Sequence, residues 1–282
     1  MTQDRSCIVA GYDGSAEAAA AVRWAARHAG AAKRPLHVVH CSLWPLLTRH
    51  LGPVPGVSGS GLEQSAQAVL DEGVALAAAE VQGVEIRSSL VHGLPAQLLV
   101  DISTGEHLLV VGSRGMGGFL GLLVGSVSLE LAAAAACPVA VIRPDLHPEG
   151  PVVAAVDAAG SPSPLADACD FAAAWQVPLR VVHVHHEPPG YLRRAREPGP
   201  DPEQVLNAAR AHAAALAPSV HVQGTLVRDH SVPHGIIGAA GDARIVVVGS
   251  QGSGILRETI GSTAHAVLHH APGPVLVSRH GT

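Results

Sequence analysis

The chain has 282 residues, of which 48% are hydrophobic, 15% charged and 2% aromatic, with a formal net charge of −5. At roughly 100–200 residues per domain this length predicts about two domains, and the apolar content supports sizeable cores, which excludes disorder as a global state. An acidic chain with no basic stripe and few aromatic residues excludes the usual nucleic-acid binders, and the cysteines Cys7, Cys41, Cys137 and Cys169 have neither zinc nor C-x-x-C spacing, so they are expected to be reduced, buried small hydrophobes.

The first five residues lead straight into a strand-like run with no signal-peptide pattern, and the most apolar region, Gly117 to Ile142, is broken by glycines, Glu130 and Pro138. A soluble cytoplasmic protein with neither a membrane nor a nucleic-acid partner is the expectation. Cys7-Ile8-Val9-Ala10-Gly11-Tyr12-Asp13 predicts a first strand. Ser15 is a candidate N-cap for a helix over Ala16 to Ala29. Leu36 to Cys41 predicts a second strand, and a Pro/Gly/Ser-rich stretch from about Pro45 to Gly61 predicts a loop before a helix over Leu62 to Ala79. Val84 to Val91 alternates and predicts a third strand, and Pro95 starts a short helix at its first turn.

Leu108 to Gly112 is a short apolar run that predicts a buried fourth strand. A glycine-dense loop follows, and it closes on Gly125-Ser126 ahead of a helix-forming segment. A strand, a glycine loop and a serine at a helix start form an arrangement that suits a phosphate. Glycines let backbone N–H groups approach the anion, and the helix N-terminus favours negative charge. The spacing is Gly112, two residues, Gly115, nine residues, Gly125, Ser126. It is neither a Walker loop nor a dinucleotide fingerprint, and Lys33, the single lysine, is distant in sequence. Pro138 to Arg143 predicts a fifth strand.

The second half repeats this order. Val152 to Asp157 matches the first strand and its aspartate, and Pro178 to Val184 matches Pro35 to Cys41. Ile245 to Gly252 matches the fourth strand with its first two glycines, Gly261-Ser262 matches Gly125-Ser126, and Pro274 to Arg279 matches Pro138 to Arg143. The offset drifts from about 144 to about 136, as expected when loops shorten and elements persist. Two copies of one α/β domain are therefore predicted, over residues 1–144 and 151–282. Each has a parallel sheet with helices on both faces. In such sheets ligands bind at the carboxyl ends of strands, where Asp13, the His40-Cys41 end and Gly112 all fall.

Together, Val9-Ala10-Gly11-Tyr12-Asp13-Gly14-Ser15, Val91-His92-Gly93-Leu94-Pro95, the glycine loop and Cys137-Pro138-Val139-Ala140-Val141 resemble a universal stress protein domain. The likeness covers both halves nearly end to end, as in tandem members of that family. It implies five parallel strands in the order 3-2-1-4-5 and membership of an ATP-binding subclass. It further implies that Asp13 and the Cys41 backbone line the adenine and ribose side, and that Val111 and Gly112 contact the nucleoside. Gly115, Gly125, Ser126 and Val127 would hold the phosphates, with a divalent cation such as Mg2+ sharing their charge. In the second copy the corresponding positions are Asp157, Gly249, Gly252, Gly261 and Ser262. There eight residues separate Gly252 from Gly261 in place of nine, and Glu258 brings a carboxylate into the loop, so weaker or absent ATP binding is expected. The resemblance also implies assembly through the last strand of each domain, as an intramolecular pseudo-dimer, and a homodimer of chains.

Other readings accompany these. The glycine loops can be structural turns, and Asp13 and Asp157 can cap the next segment. His183, His185 and His186 before Glu187, and His265 with His269 on a helix, invite a metal, but a structural histidine and a polar helix face are the better expectations, and no metal is assigned. Tyr191 to Arg196 is a local basic cluster between proline-rich flanks, read as a loop. The functional expectation is an ATP-binding stress-response or signalling protein with no catalytic residues. The alternatives are a slow ATP hydrolase and a nucleotide-independent interaction scaffold.

Overall fold

The structure, a computed structural model, describes residues 6–43, 60–115, 123–143, 147–187, 200–250 and 260–279. The chain divides into two compact units, Met1–Arg143 and Pro144–Thr282. In the first unit β1 (Ile8–Gly11), α1 (Ala16–Ala32), β2 (Leu36–Ser42), α2 (Ser60–Glu80), β3 (Ile86–His92), α3 (Pro95–Ile102), β4 (Leu108–Gly112), α4 (Ser126–Ala134) and β5 (Val139–Ile142) alternate along the chain. All strand pairs are parallel, and the order is β3-β2-β1-β4-β5. The second unit repeats this with β6 (Val152–Val156), α5 (Pro162–Trp175), β7 (Leu179–His186), α6 (Pro202–Leu216), β8 (Val222–Asp229), α7 (Val232–Ala239), β9 (Ile245–Gly249), α8 (Ser262–His270) and β10 (Val275–Ser278). Its order is β8-β7-β6-β9-β10, again all parallel. The expected α/β class and the 3-2-1-4-5 order are thus present in both units.

Physical chemistry accounts for the elements. β4 and β5 are buried at every residue, as strands covered on both faces by helices must be. β3 lies at the sheet edge and exposes Arg87, Ser88 and His92, which discourages pairing with another chain. The Ser15 side chain accepts a hydrogen bond from the Ala18 N–H at 3.1 Å and so caps α1, and Lys33 ends it in a left-handed conformation with φ 53°. The apolar face of α1 carries Val22, Ala25 and Trp24, the last only 1% exposed.

The register places the site. Ile8, Val9 and Ala10 of β1 pair with Leu108, Leu109 and Val110 of β4, so the two strands end side by side. The connections from β1 and β4 leave toward opposite sides of the sheet, which opens a crevice at their carboxyl ends. Asp13 and Ser113 lie just beyond these ends.

Tyr12, 3% exposed, docks α2 onto the sheet. Burial, and then the neighbouring Glu72 carboxylate, push its phenol up to about 12. A Cβ at Gly73 would lie 2.7 Å from Tyr12 Cδ1 and 3.2 Å from Val38 Cγ1. Gly61, in the same helix, has nothing within 4 Å of that position. Gly73→Ala is therefore expected to lower stability by about 1–3 kcal/mol despite alanine's better helix propensity. Gly61→Ala is expected to raise it by up to about 1 kcal/mol, and urea denaturation of the two variants reads the opposite signs.

Candidate functional site

The site begins at the end of β4. A Cβ on Gly112 would lie 2.7 Å from the Glu17 carbonyl carbon, 2.8 Å from the Ala18 nitrogen and 2.9 Å from the Glu17 oxygen. Only glycine allows β4 to end directly against the first turn of α1. The chain then turns under three hydrogen bonds: Ser113 N–H donates to Ile142 O at 2.9 Å, Gly125 N–H to Ser113 O at 2.7 Å, and the buried Ser128 hydroxyl to Gly112 O at 2.8 Å. They bring the N-terminus of α4 back to the mouth of β4. Gly125 is the N-cap residue, and no side chain takes the cap hydrogen bond. Ser126, first in the helix, is exposed, and Val127 is half-buried.

Asp13 faces this loop. Its Oδ1 accepts the Ser15 N–H at 3.0 Å, in a turn that Gly14 completes at φ 87°. Its Oδ2 lies 2.5 Å from where a Cβ on Gly115 would stand. Gly125 is next to the same turn, its Cβ position 3.6 Å from Arg114 Cα and 3.9 Å from Gly115 N. Asp13, Gly112, Gly115 and Gly125 therefore converge, as expected. Val111 precedes Gly112 and packs against Gly11. Cys41 sits near the end of β2, and burial pushes its thiol up to about 11, so it is neutral at physiological pH. The His40 ring donates from Nδ1 to Tyr12 O at 2.8 Å and pins the backbone just before Asp13. Residues 116–122 lie outside the described residues.

The glycines let the loop pack closely against Asp13 and α1, and the loop ends at a helix N-terminus. The two closest approaches are made by glycines whose Cβ positions are already filled by neighbouring atoms, and backbone N–H groups at a helix start are the donors that anions use. Three charged residues border the loop: Arg114, which the sequence offered as a phosphate-neutralising or solvated side chain, and Glu17 and Arg143, which it did not single out. Arg114 Nη2 meets Glu17 Oε1 at 2.6 Å. Arg143, 9% exposed, follows β5, and burial and then the Arg114 charge lower its pKa. The repetition of Arg143 as Arg279 was the one sequence signal for that residue; Glu17 offered only a helix-start acid, and Ser128 had none.

The second unit keeps the frame and changes the lining. Ser250 N–H donates to Ser278 O at 2.9 Å and Gly261 N–H to Ser250 O at 2.8 Å, the same closure as in the first unit. Gly249 ends β9, Gly261 is the N-cap of α8, and Ser262 is exposed at its first position. His183 Nδ1 donates to Val156 O at 3.0 Å, as His40 does to Tyr12, which explains the repeated histidine structurally. Asp157 is exposed and turned inward on its own loop, where its Oδ1 accepts from Ala159 N–H at 2.9 Å and from the Ser161 hydroxyl at 3.0 Å. Ala264 stands where the first copy has Ser128, and the Ser278 hydroxyl donates to Asp167 Oδ2 of α5 at 2.5 Å. Gly252 lies outside the described residues, as does the basic cluster at 191–196.

Among the described residues, no group of three or more His, Cys, Asp or Glu is arranged to hold a metal ion. The His265 and His269 rings on α8 lie tilted at 41° with centroids 4.5 Å apart. No helix among the described residues is long and apolar enough to cross a membrane.

A model of the universal stress protein family matches residues 6–143 and 150–279. Universal stress protein Rv2005c of Mycobacterium tuberculosis strain H37Rv is 34% identical over 294 residues, covering 96% of this chain and 96% of its own. Universal stress protein Rv2623 of the same strain is 32% identical over 288 residues, again covering 96% of each. A crystal structure of a universal stress protein from Archaeoglobus fulgidus matches with a TM-score of 0.73 at 17% identity, over 98% of this chain and 99% of that one, a likeness of fold.

Two tests follow from the contrast between the units. Ser128→Ala leaves the Gly112 carbonyl short of a buried donor and is expected to cost about 1–3 kcal/mol in chemical denaturation. Asp167 is pushed up to about 6, chiefly by burial, against the lowering effect of the Ser278 hydrogen bond. The folded state then holds its proton more tightly than the unfolded chain, so this group's contribution to stability falls as pH rises from about 4 to about 6. Asp167→Asn is expected to melt at a higher temperature than the parent above about pH 6, with the advantage shrinking to nothing near pH 4, as followed by thermal unfolding across that range.

Proposed function

The chain belongs to the universal stress protein family, and on that premise we propose that its first unit binds ATP between Asp13 and the loop from Gly112 to Ser126, with a nucleotide-dependent role in stress response or signalling and no dedicated catalysis. The observation that carries this reading is the approach of Asp13 Oδ2 to Gly115, beside a loop closed on the N-terminus of α4. Asp13 is the acceptor for the ribose, and Cys41 and Val111 supply the apolar wall for the base. Gly115, Gly125, Ser126 and Val127 offer backbone donors and a hydroxyl to the phosphates. Asp13 and Glu17 add negative charge at the rim, so a divalent cation such as Mg2+ is expected to share the phosphate charge.

The second unit is proposed to bind ATP more weakly or not at all. Both aspartates accept the N–H two residues on, but Asp157 Oδ1 also takes the Ser161 hydroxyl, and the Asp167 carboxylate bonds Ser278 at the strand end that closes the loop. The spacing from Gly252 to Gly261, one residue short, supports the same asymmetry.

Titrating nucleotide-stripped protein with ATP and Mg2+ in a calorimeter tests both parts. Saturable binding near one ATP per chain is expected, with a rise in melting temperature that grows with ligand concentration. Gly115→Val puts a side chain against Asp13 Oδ2 and is expected to weaken ATP at least about tenfold, since it displaces the ligand-facing carboxylate. No binding at millimolar ATP overturns the proposal, and so does unchanged affinity after Gly115 and Gly125 are both replaced by valine.

A further inference from the structure

Resting on that ATP reading, we propose that Arg114 is the residue by which the first unit distinguishes a triphosphate from a monophosphate, and that Glu17 is a built-in competitor that holds Arg114 until the phosphates displace it. Three observations carry this. First, Arg114 lies between Ser113 and Gly115, and its Cα is 3.6 Å from the Cβ position of Gly125, the N-cap of α4. Its guanidinium is thus tethered at the mouth where phosphates would meet the helix start, and a planar fork suits phosphate oxygens better than any other side chain here. Second, the guanidinium is held by Glu17 Oε1 at 2.6 Å, with side-chain exposures of 48% and 25%. An ion pair this open to water is weak, whereas a polyphosphate brings several negative oxygens to the same fork. The contact between Gly112 and the Glu17 backbone fixes the competitor in place, so only its side chain has to swing away.

Third, the chain holds its own control. The residue after Ser250 is Gln251 where the first loop has Arg114, and the second residue of α5 is Ser163 where α1 has Glu17. The pair is absent as a pair from the copy whose glycine spacing is also short. Arg143 adds to the argument: its pKa is lowered by the Arg114 charge as well as by burial, so an anion arriving at this mouth relieves repulsion between two guanidinium groups.

The test measures dissociation constants for ATP and AMP, both with Mg2+, on the full chain and on Arg114→Gln, Arg114→Lys, Glu17→Gln and the double variant Glu17→Gln/Arg114→Gln, each checked for an unchanged circular dichroism spectrum. Arg114→Gln is expected to weaken ATP roughly tenfold or more while changing AMP far less, which collapses the ATP-to-AMP ratio. Arg114→Lys is expected to recover part of that loss. Glu17→Gln is expected to tighten ATP roughly two- to fivefold, and the double variant to match Arg114→Gln. An unchanged ratio in Arg114→Gln, or weaker ATP binding in Glu17→Gln, overturns the competitor proposal while leaving the ATP site standing. A parent protein that binds neither nucleotide overturns the ATP reading and this proposal with it.

Discussion

The whole first crevice depends on one absent side chain. β4 ends 2.7 Å short of the α1 backbone, measured from where a Cβ on Gly112 would stand. That contact lets the first turn of α1 lie flush against the strand end. It sets the height of the Asp13 turn above Gly115, and it puts Glu17 beside Arg114. A residue with a Cβ would push α1 outward and separate the carboxylates from the loop they face. The remaining features act to keep this approach closed: Ser15 caps α1 and the Ser128 hydroxyl holds the Gly112 carbonyl.

The two units show how one frame takes two linings. Both close the loop through a serine N–H to the last strand and a glycine N–H back to that serine, and both pin the first strand with a histidine ring. These bonds satisfy buried backbone groups and are required for folding whatever the site binds. The changes fall on side chains, and one of them, Ala264 in place of Ser128, removes a bond of the turn. Asp13 looks across to a glycine, while Asp157 is tied to Ser161, itself in a left-handed conformation at φ 44°. Ile142 is apolar and 1% exposed, while Ser278 in its place carries the Asp167 carboxylate. Divergence has thus changed the charged lining and one side-chain bond of the turn, Ser128 to Gly112, and has kept the backbone closure and the histidine pin.

Charge is therefore the variable that separates the copies. The first mouth sets Asp13 and Glu17 against Arg114 and Arg143, a near-balanced set of charges. The second carries a half-buried carboxylate whose proton is held unusually tightly.

Much of this was legible in the amino-acid sequence. Apolar runs of strand length, the Ser15 cap, the duplication and the spacing from Gly112 to Ser126 are local signals, and local signals determine which elements form and in what order. The parallel sheet follows from their alternation, and the convergence of Asp13 with the glycine loop follows from where parallel strands end. What only the tertiary structure decided is where each charged side chain points. Arg114 and Glu17 are 97 residues apart, and Ser278 and Asp167 are 111 apart. Asp13 and Asp157 occupy the same place in the repeat and accept the same turn N–H, yet Asp157 also takes the Ser161 hydroxyl. Such pairings depend on strand register, helix approach and rotamer at once, and no periodicity or spacing encodes all three.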